Sequence, residues 1–188
     1  MARFLYAVAK AILFWKPLKS YMDMTNPWRI QQLPQLSIHW LALQGVRHLV
    51  LDFDGVMAPH GDAEPLPEVL AWLKRSLETF EGKIYILSNK PLPVRIDYFK
   101  QHFPGVIFVV SPRKKPYPDG LLKIIESSGA KPNEVCLVDD RLLTGVLATQ
   151  LAGASAVYIT QPYASFKKRF WQESFFALLR NLERFFLA

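Results

Sequence analysis

His48-Leu49-Val50-Leu51-Asp52-Phe53-Asp54-Gly55-Val56-Met57 is an apolar run that stops abruptly on two carboxylates one residue apart. An apolar run bounded by glycine reads as a buried strand, and a buried strand has no packing reason to finish on two acids. Such a pair needs a counter-charge. A hard divalent cation such as Mg²⁺, which takes carboxylate, water and phosphate oxygens, supplies one. Asp52 and Asp54 share a face only while the chain stays extended. Gly55 lets the chain turn there, so both acids can converge on one phosphorus, one as nucleophile and the other as proton donor.

Working outward, the same pattern recurs. Ile84-Tyr85-Ile86-Leu87-Ser88-Asn89 is a second apolar run, ending on a hydroxyl. Val135-Cys136-Leu137-Val138-Asp139-Asp140 is a third, ending on acids, and Lys115-Pro116 lies between them. Strand candidates at 48–52, 83–87, 106–110, 135–138 and 156–160 alternate with helical patterns near 67–80, 91–102, 118–128 and 141–152. Alternation of this kind implies parallel crossovers, hence an α/β fold with a parallel sheet of about five strands and helices on both faces. Ligands of such sheets sit beyond the carboxyl ends of the strands, where Asp52, Ser88 and Asp139-Asp140 all fall.

In this order the four segments resemble the signatures of the haloacid-dehalogenase-like phosphohydrolases, with Val56 at the Thr/Val place of D-x-D-x-[TV]. The resemblance implies a Rossmann-like fold. It also implies Asp52 as nucleophile, Asp54 as acid and base, Ser88 and Lys115 on the transferring phosphoryl group, and Mg²⁺ held by Asp52, Asp139 and Asp140 with the backbone carbonyl of Asp54. The gaps from Asp54 to Ser88 and from Ser88 to Lys115 hold a helix with a flap, and a helix with a strand. Neither has room for a cap domain, so the open site should admit a phosphate carried on something large.

Over about residues 45–187 the chain looks most like the YqeG-type phosphatidylglycerophosphate phosphatases, which form phosphatidylglycerol. Three departures stand out. Asp139-Asp140-Arg141 replaces the usual Gly-Asp-Gln before Leu-Leu-Thr, Gly145 stands where an acid is common, and Lys90 follows Ser88-Asn89. Asp139 is expected to take over from the acid missing at 145. Asn89, Lys90, Lys114 and Arg113 are the further candidates for binding substrate, the last two facing lipid headgroups. His60 reads as an exposed loop histidine.

With 188 residues, 51% of them hydrophobic and 21% charged, the chain can bury one sizeable core. The lone Cys136 excludes an intrachain disulfide and a Cys-rich zinc site, and its apolar surroundings make it a small buried hydrophobe. The net charge of +7 is unevenly spread. Residues 1–22 carry Arg3, Lys10, Lys16 and Lys19 and no acid before Met22, among Phe4, Leu5, Ile12, Leu13, Phe14 and Trp15. Lys10 interrupts any span, so the segment reads as an interfacial helix with inserted apolar side chains and lysines at lipid phosphates.

The expected organisation is therefore an N-terminal membrane-association segment and linker at 1–44 and a capless phosphatase domain at 45–188. Near the end, Phe175, Leu178, Leu182 and Phe185 follow Phe166-Lys167-Lys168-Arg169-Phe170-Trp171 at helical spacing. Core packing and membrane contact explain that face equally well. The expected partners are a phospholipid substrate and an anionic membrane surface, on the cytoplasmic face of a bacterial inner membrane or the matrix side of a mitochondrial one. Nucleic acid is not expected, because the aromatics form blocks of bulk apolar surface instead of isolated stacking platforms. Two rival functions remain: a capless phosphatase acting on phosphoprotein or nucleic-acid ends, and a lipid-binding adaptor without catalysis.

Overall fold

The computed structural model describes residues 2–188. After α1 (Ala2–Leu13) and α2 (Trp15–Ser20), the chain runs through β1 (Arg29–Ile30), α3 (Ile38–Leu43), β2 (His48–Leu51), α4 (Pro67–Thr79), β3 (Lys83–Ile86) and α5 (Pro93–His102). It continues with β4 (Val106–Phe108), α6 (Asp119–Ser128), β5 (Val135–Asp139), α7 (Leu147–Ala152), β6 (Ser155–Ile159) and α8 (Phe166–Leu187). The strands form one parallel sheet in the order β1-β6-β5-β2-β3-β4.

Both faces of the sheet are covered, as the near-continuous apolar strands require. Alternation along β2 sends Leu49 and Leu51 to one side, with Ile84, Ile86, Phe53, Leu73 and Phe99, and Val50 to the other, with Tyr85, Leu137, Leu121 and Ile124. A third cluster joins α1 and α2 to the body through Ala7, Ala11 and Leu18, packed with Leu142, Val146, Tyr158 and Leu187. The connection from β2 to β3 carries a short flap and α4, and that from β3 to β4 carries α5 alone. No cap is inserted at either place.

Three elements depart from the expected reading. The sheet has six strands, because Arg29 and Ile30 pair with Tyr158 and Ile159 at its edge, in the stretch read as a linker. Leu33, Leu36 and Leu41 of that stretch enter the main core. The helix expected from 141 begins as a π-helical turn, Leu142–Val146, before α7. The last helix is interrupted at Arg169, whose φ of −144° and ψ of 58° are not helical.

Candidate active site

β2, β3 and β5 lie side by side, so their carboxyl ends bring Asp52, Ser88, Asp139 and Asp140 to one edge of the sheet. The Asp52 amide donates to Val138 O (3.0 Å), which fixes the residue just past the last β2 pair. Gly55 then turns the chain with φ +85°, and a Cβ there would come within 2.8 Å of Asp140 Oδ2. Glycine is therefore required twice over, for the left-handed backbone and for the close approach of a carboxylate. Asp52, Asp139 and Asp140 are all buried and offer oxygen atoms within 4.8 Å of one another.

Lys115 Nζ reaches into this cluster, 2.9 Å from Asp52 Oδ1 and in direct contact with Asp139 Oδ2. Burial alone would lower the lysine's pKa, but Asp139 and Asp52 hold it above its usual value. Asn89 carries the loop that delivers it: Asn89 Oδ1 accepts from the Lys115 amide (2.7 Å) and Nδ2 donates to its carbonyl (3.4 Å). Ser88 is buried at the end of β3, with Oγ accepting from the Lys90 amide (3.1 Å). Burial pushes Asp52 up to about 8 against the pull of Lys115, and burial, then Asp139, pushes Asp140 up to about 7.

Asp54 lies apart from the three clustered carboxylates. Its Oδ1 accepts from Arg95 Nη2 (2.7 Å) and the Gly61 amide (3.0 Å), and its Oδ2 accepts from Arg95 Nη1 (3.1 Å). Burial works against ionisation of Asp54, yet the Arg95 pairing holds its pKa below the usual carboxylate value. Arg95 is itself fully buried, lying 3.8 Å over the Phe53 ring and donating to Asp62 O (3.0 and 2.8 Å). Of the other candidates, Lys90, Lys114 and Arg113 are exposed. Arg113 pairs with Asp119 (2.8 Å) and stacks over Tyr117.

Sequence reasoning missed the basic frame behind these acids. Arg180 of α8 donates to Asp140 Oδ2 (2.9 Å), and Glu183 binds the Arg141 guanidinium and the Leu142 amide (3.0 Å). His60 is a correction. It is buried, bonded through Nδ1 to Glu173 Oε2 (3.0 Å) and stacked on Phe176 at 3.9 Å, because α8 covers the flap that carries it. A signal did exist: Glu173, Arg180 and Glu183 fall seven and three residues apart, one face of a helix.

Asp139 and Gly145 fit each other sterically. A Cβ at Gly145 would lie 2.0 Å from Asp139 Cγ, so the Asp139 carboxylate occupies the place of a side chain at 145. Gly145→Ala is expected to destabilise the fold by about 1–3 kcal/mol or more through overpacking. Gly145→Asp should do worse, and adding Asp139→Gly should recover much of the loss. Urea denaturation of the single and double variants checks this.

Three clustered carboxylates without His or Cys suit a hard, oxygen-seeking cation, and the donor chemistry fits a divalent ion. A family model of haloacid dehalogenase-like hydrolases matches residues 16–153. No curated protein matches the chain significantly. Among solved structures, the cobalt-bound deoxy-D-mannose-octulosonate 8-phosphate phosphatase from Haemophilus influenzae is similar at 14% identity. The match covers 73% of this chain and 91% of that one, with a TM-score of 0.50. A predicted phosphoglycolate phosphatase from Haemophilus somnus aligns at 14% identity over 64% and 88%, with a TM-score of 0.46. Identities this low concern the fold alone; the family match is what assigns the chain, and the chain belongs to the haloacid dehalogenase-like hydrolases.

Proposed function

We propose that the protein is a capless, Mg²⁺-dependent phosphatase that removes the terminal phosphate of phosphatidylglycerophosphate through an aspartyl-phosphate on Asp52. The observation that carries the phosphatase reading is the buried set of Asp52, Lys115 and the Asp139-Asp140 pair at the carboxyl ends of β2 and β5. Phosphate monoesters resist attack because their oxygens repel anions, so catalysis consists of neutralising those oxygens and holding the nucleophile in line. In this reading Lys115 and the Ser88 hydroxyl serve the first task and Asp52 the second.

Asp52, Asp139 and Asp140 would hold Mg²⁺, whose charge would keep buried carboxylates ionised and neutralise phosphoryl oxygens. Asp54 serves the leaving oxygen and then the water. Release of phosphate from Asp52 needs Asp54 as a base, the form in which Arg95 holds it. Formation of the intermediate needs it as an acid, so that step requires Asp54 to take a proton against the hold of Arg95. Lys90, Lys114 and Arg113 stand at the rim as exposed cations for an anionic headgroup.

The lipid substrate is supported by the absence of a cap and by α1, whose Tyr6 stacks on Tyr117 (4.4 Å), two residues from Lys115. The basic apolar segment thus borders the site's own loop. Among the described residues no helix is long and apolar enough to cross a membrane, and in this reading α1 makes interfacial contact. Phosphate release from phosphatidylglycerophosphate, a phosphopeptide and a soluble phosphate ester, with and without Mg²⁺, tests the reading. The lipid is expected to turn over fastest and only with metal; preference for the phosphopeptide would overturn the substrate assignment.

A further inference from the structure

The last helix is packed inside out. Trp171, Phe175, Leu178, Leu182 and Phe185 recur at i, i+4, i+7, i+11 and i+14, a stripe that in an ordinary closing helix faces the core. All five are exposed, Trp171 and Phe185 at 84%, while Glu173 on the opposite face is 0% exposed and Arg180 and Glu183 are buried. The inward face is a ladder of charge. Glu173 accepts from the His60 and Ser165 amides (both 3.1 Å) and bonds the His60 ring. Arg180 holds Asp140, Glu183 holds Arg141, and Arg184 donates to Tyr158 Oη (2.9 Å) and Thr160 O (2.7 Å). The register is therefore fixed by buried ion pairs, and rotating the helix to hide its aromatics would break every one of them.

α1 has the same orientation. Its inward residues are Ala7 and Ala11, small enough for close packing on Leu142 and Val146, and its outward residues include Phe4, Leu5, Ile12 and Leu13. α8 meets α2, the helix that continues α1, where Trp15 packs edge-on against Phe186 (5.0 Å) and Lys19 Nζ donates to Ala188 O (2.5 Å). The other ends of α1 and α8 border the active site from two sides. Tyr6 of α1 lies on the Lys115 loop, and Arg169 of α8 donates to Asp62 Oδ1 (2.6 Å) and His60 O (2.9 Å) of the flap beyond Asp54.

The charge on this surface has one sign. Between Ala2 and Met22 there is no acid, and Arg3, Lys16 and Lys19 are exposed. In α8 both acids, Glu173 and Glu183, are turned inward, and Lys167 and Lys168 stand exposed at its start. An apolar surface with exposed cations and no exposed acid complements an anionic bilayer, whose phosphates attract lysines while its acyl region takes the aromatics. A second copy docking on the same surface would bring like charges together.

We infer that the outward faces of α8 and α1 form one lipid-contact surface that seats the mouth of the active site on an anionic bilayer. The inference rests on the lipid reading of the substrate but assigns the contact to a surface of its own. Contact and chemistry share α8: its outer stripe meets lipid, and Arg180 on its inner face positions Asp140.

The test uses full-length protein and vesicles of phosphatidylcholine with or without phosphatidylglycerol, comparing wild type with Trp171→Glu/Phe185→Glu. Wild type should float with the anionic vesicles, and the double variant should bind them at least tenfold more weakly. Its hydrolysis of a soluble phosphate ester should stay within twofold, which also reports that the fold is intact. Equal vesicle binding by the variant would overturn the surface. So would a wild-type dimer that the substitutions dissociate without changing vesicle binding. Loss of vesicle binding in a protein that never cleaves phosphatidylglycerophosphate, even in detergent micelles, would uphold the surface and overturn the substrate reading alone.

Discussion

Asp52→Asn is expected to abolish phosphatase turnover, by at least about 10³-fold, in a protein that remains folded. The amide keeps the side chain's shape and cannot attack phosphorus. It also removes a buried carboxyl that burial, and then Asp139 and Asp54, push up to about 8 against the pull of Lys115, so the apo protein should melt no lower than wild type. Turnover assays and thermal melts on the same preparation check both halves. An inactive variant that is also unfolded would place Asp52 in the scaffold instead.

Lys115→Met should damage both stability and activity. Methionine fits the volume of the lysine stem but leaves the Asp52 and Asp139 carboxylates without their shared cation in a buried site. Breaking a buried pair by removing one partner costs about 3–5 kcal/mol, because the other charge remains uncompensated. Saturating Mg²⁺ should return part of that stability, since a cation bound only by the folded state stabilises it, but should not return turnover. Urea unfolding with and without Mg²⁺ provides the measurement; recovery of activity along with stability would show that Lys115 is structural.

The parts legible in the sequence are those where a buried strand ends on a polar side chain. β2, β3 and β5 are written as apolar runs, and the residues just past them, Asp52, Ser88 and Asp140, converge because parallel strands end together. Lys115 was legible from Lys-Pro ahead of a helix. β1 was not, since two residues between Trp28 and Gln31 are too short for any period to register, and pairing with β6 alone defines them. Arg95 sits in a helix that also carries Asp97, Lys100 and His102, and nothing local separates the one buried charge from the solvated ones. Only the fold brings it to Asp54.

α8 shows the deeper ambiguity. Its sequence contains two stripes at helical spacing, one aromatic and one charged, and hydrophobicity alone fits the aromatic one to core packing and to membrane contact equally well. The charged stripe goes inward because Asp140, Arg141 and the flap amides at His60 offer fixed partners for Arg180, Glu183 and Glu173. Buried polar groups need such partners, and here the carboxylate bed provides them. Gly145 is explained in a similar way, by the neighbour that fills its space and not by its own flexibility.

The most direct test of the account is to mix the protein with vesicles containing phosphatidylglycerophosphate labelled in its terminal phosphate, quench in acid within a single turnover, and look for label on the chain. Transient, hydroxylamine-sensitive label is expected on Asp52, followed by free phosphate and phosphatidylglycerol, with no label on Asp52→Asn. Release of labelled phosphate from the lipid with no labelled protein at any time, or label transferred from a phosphopeptide but never from the lipid, would contradict it.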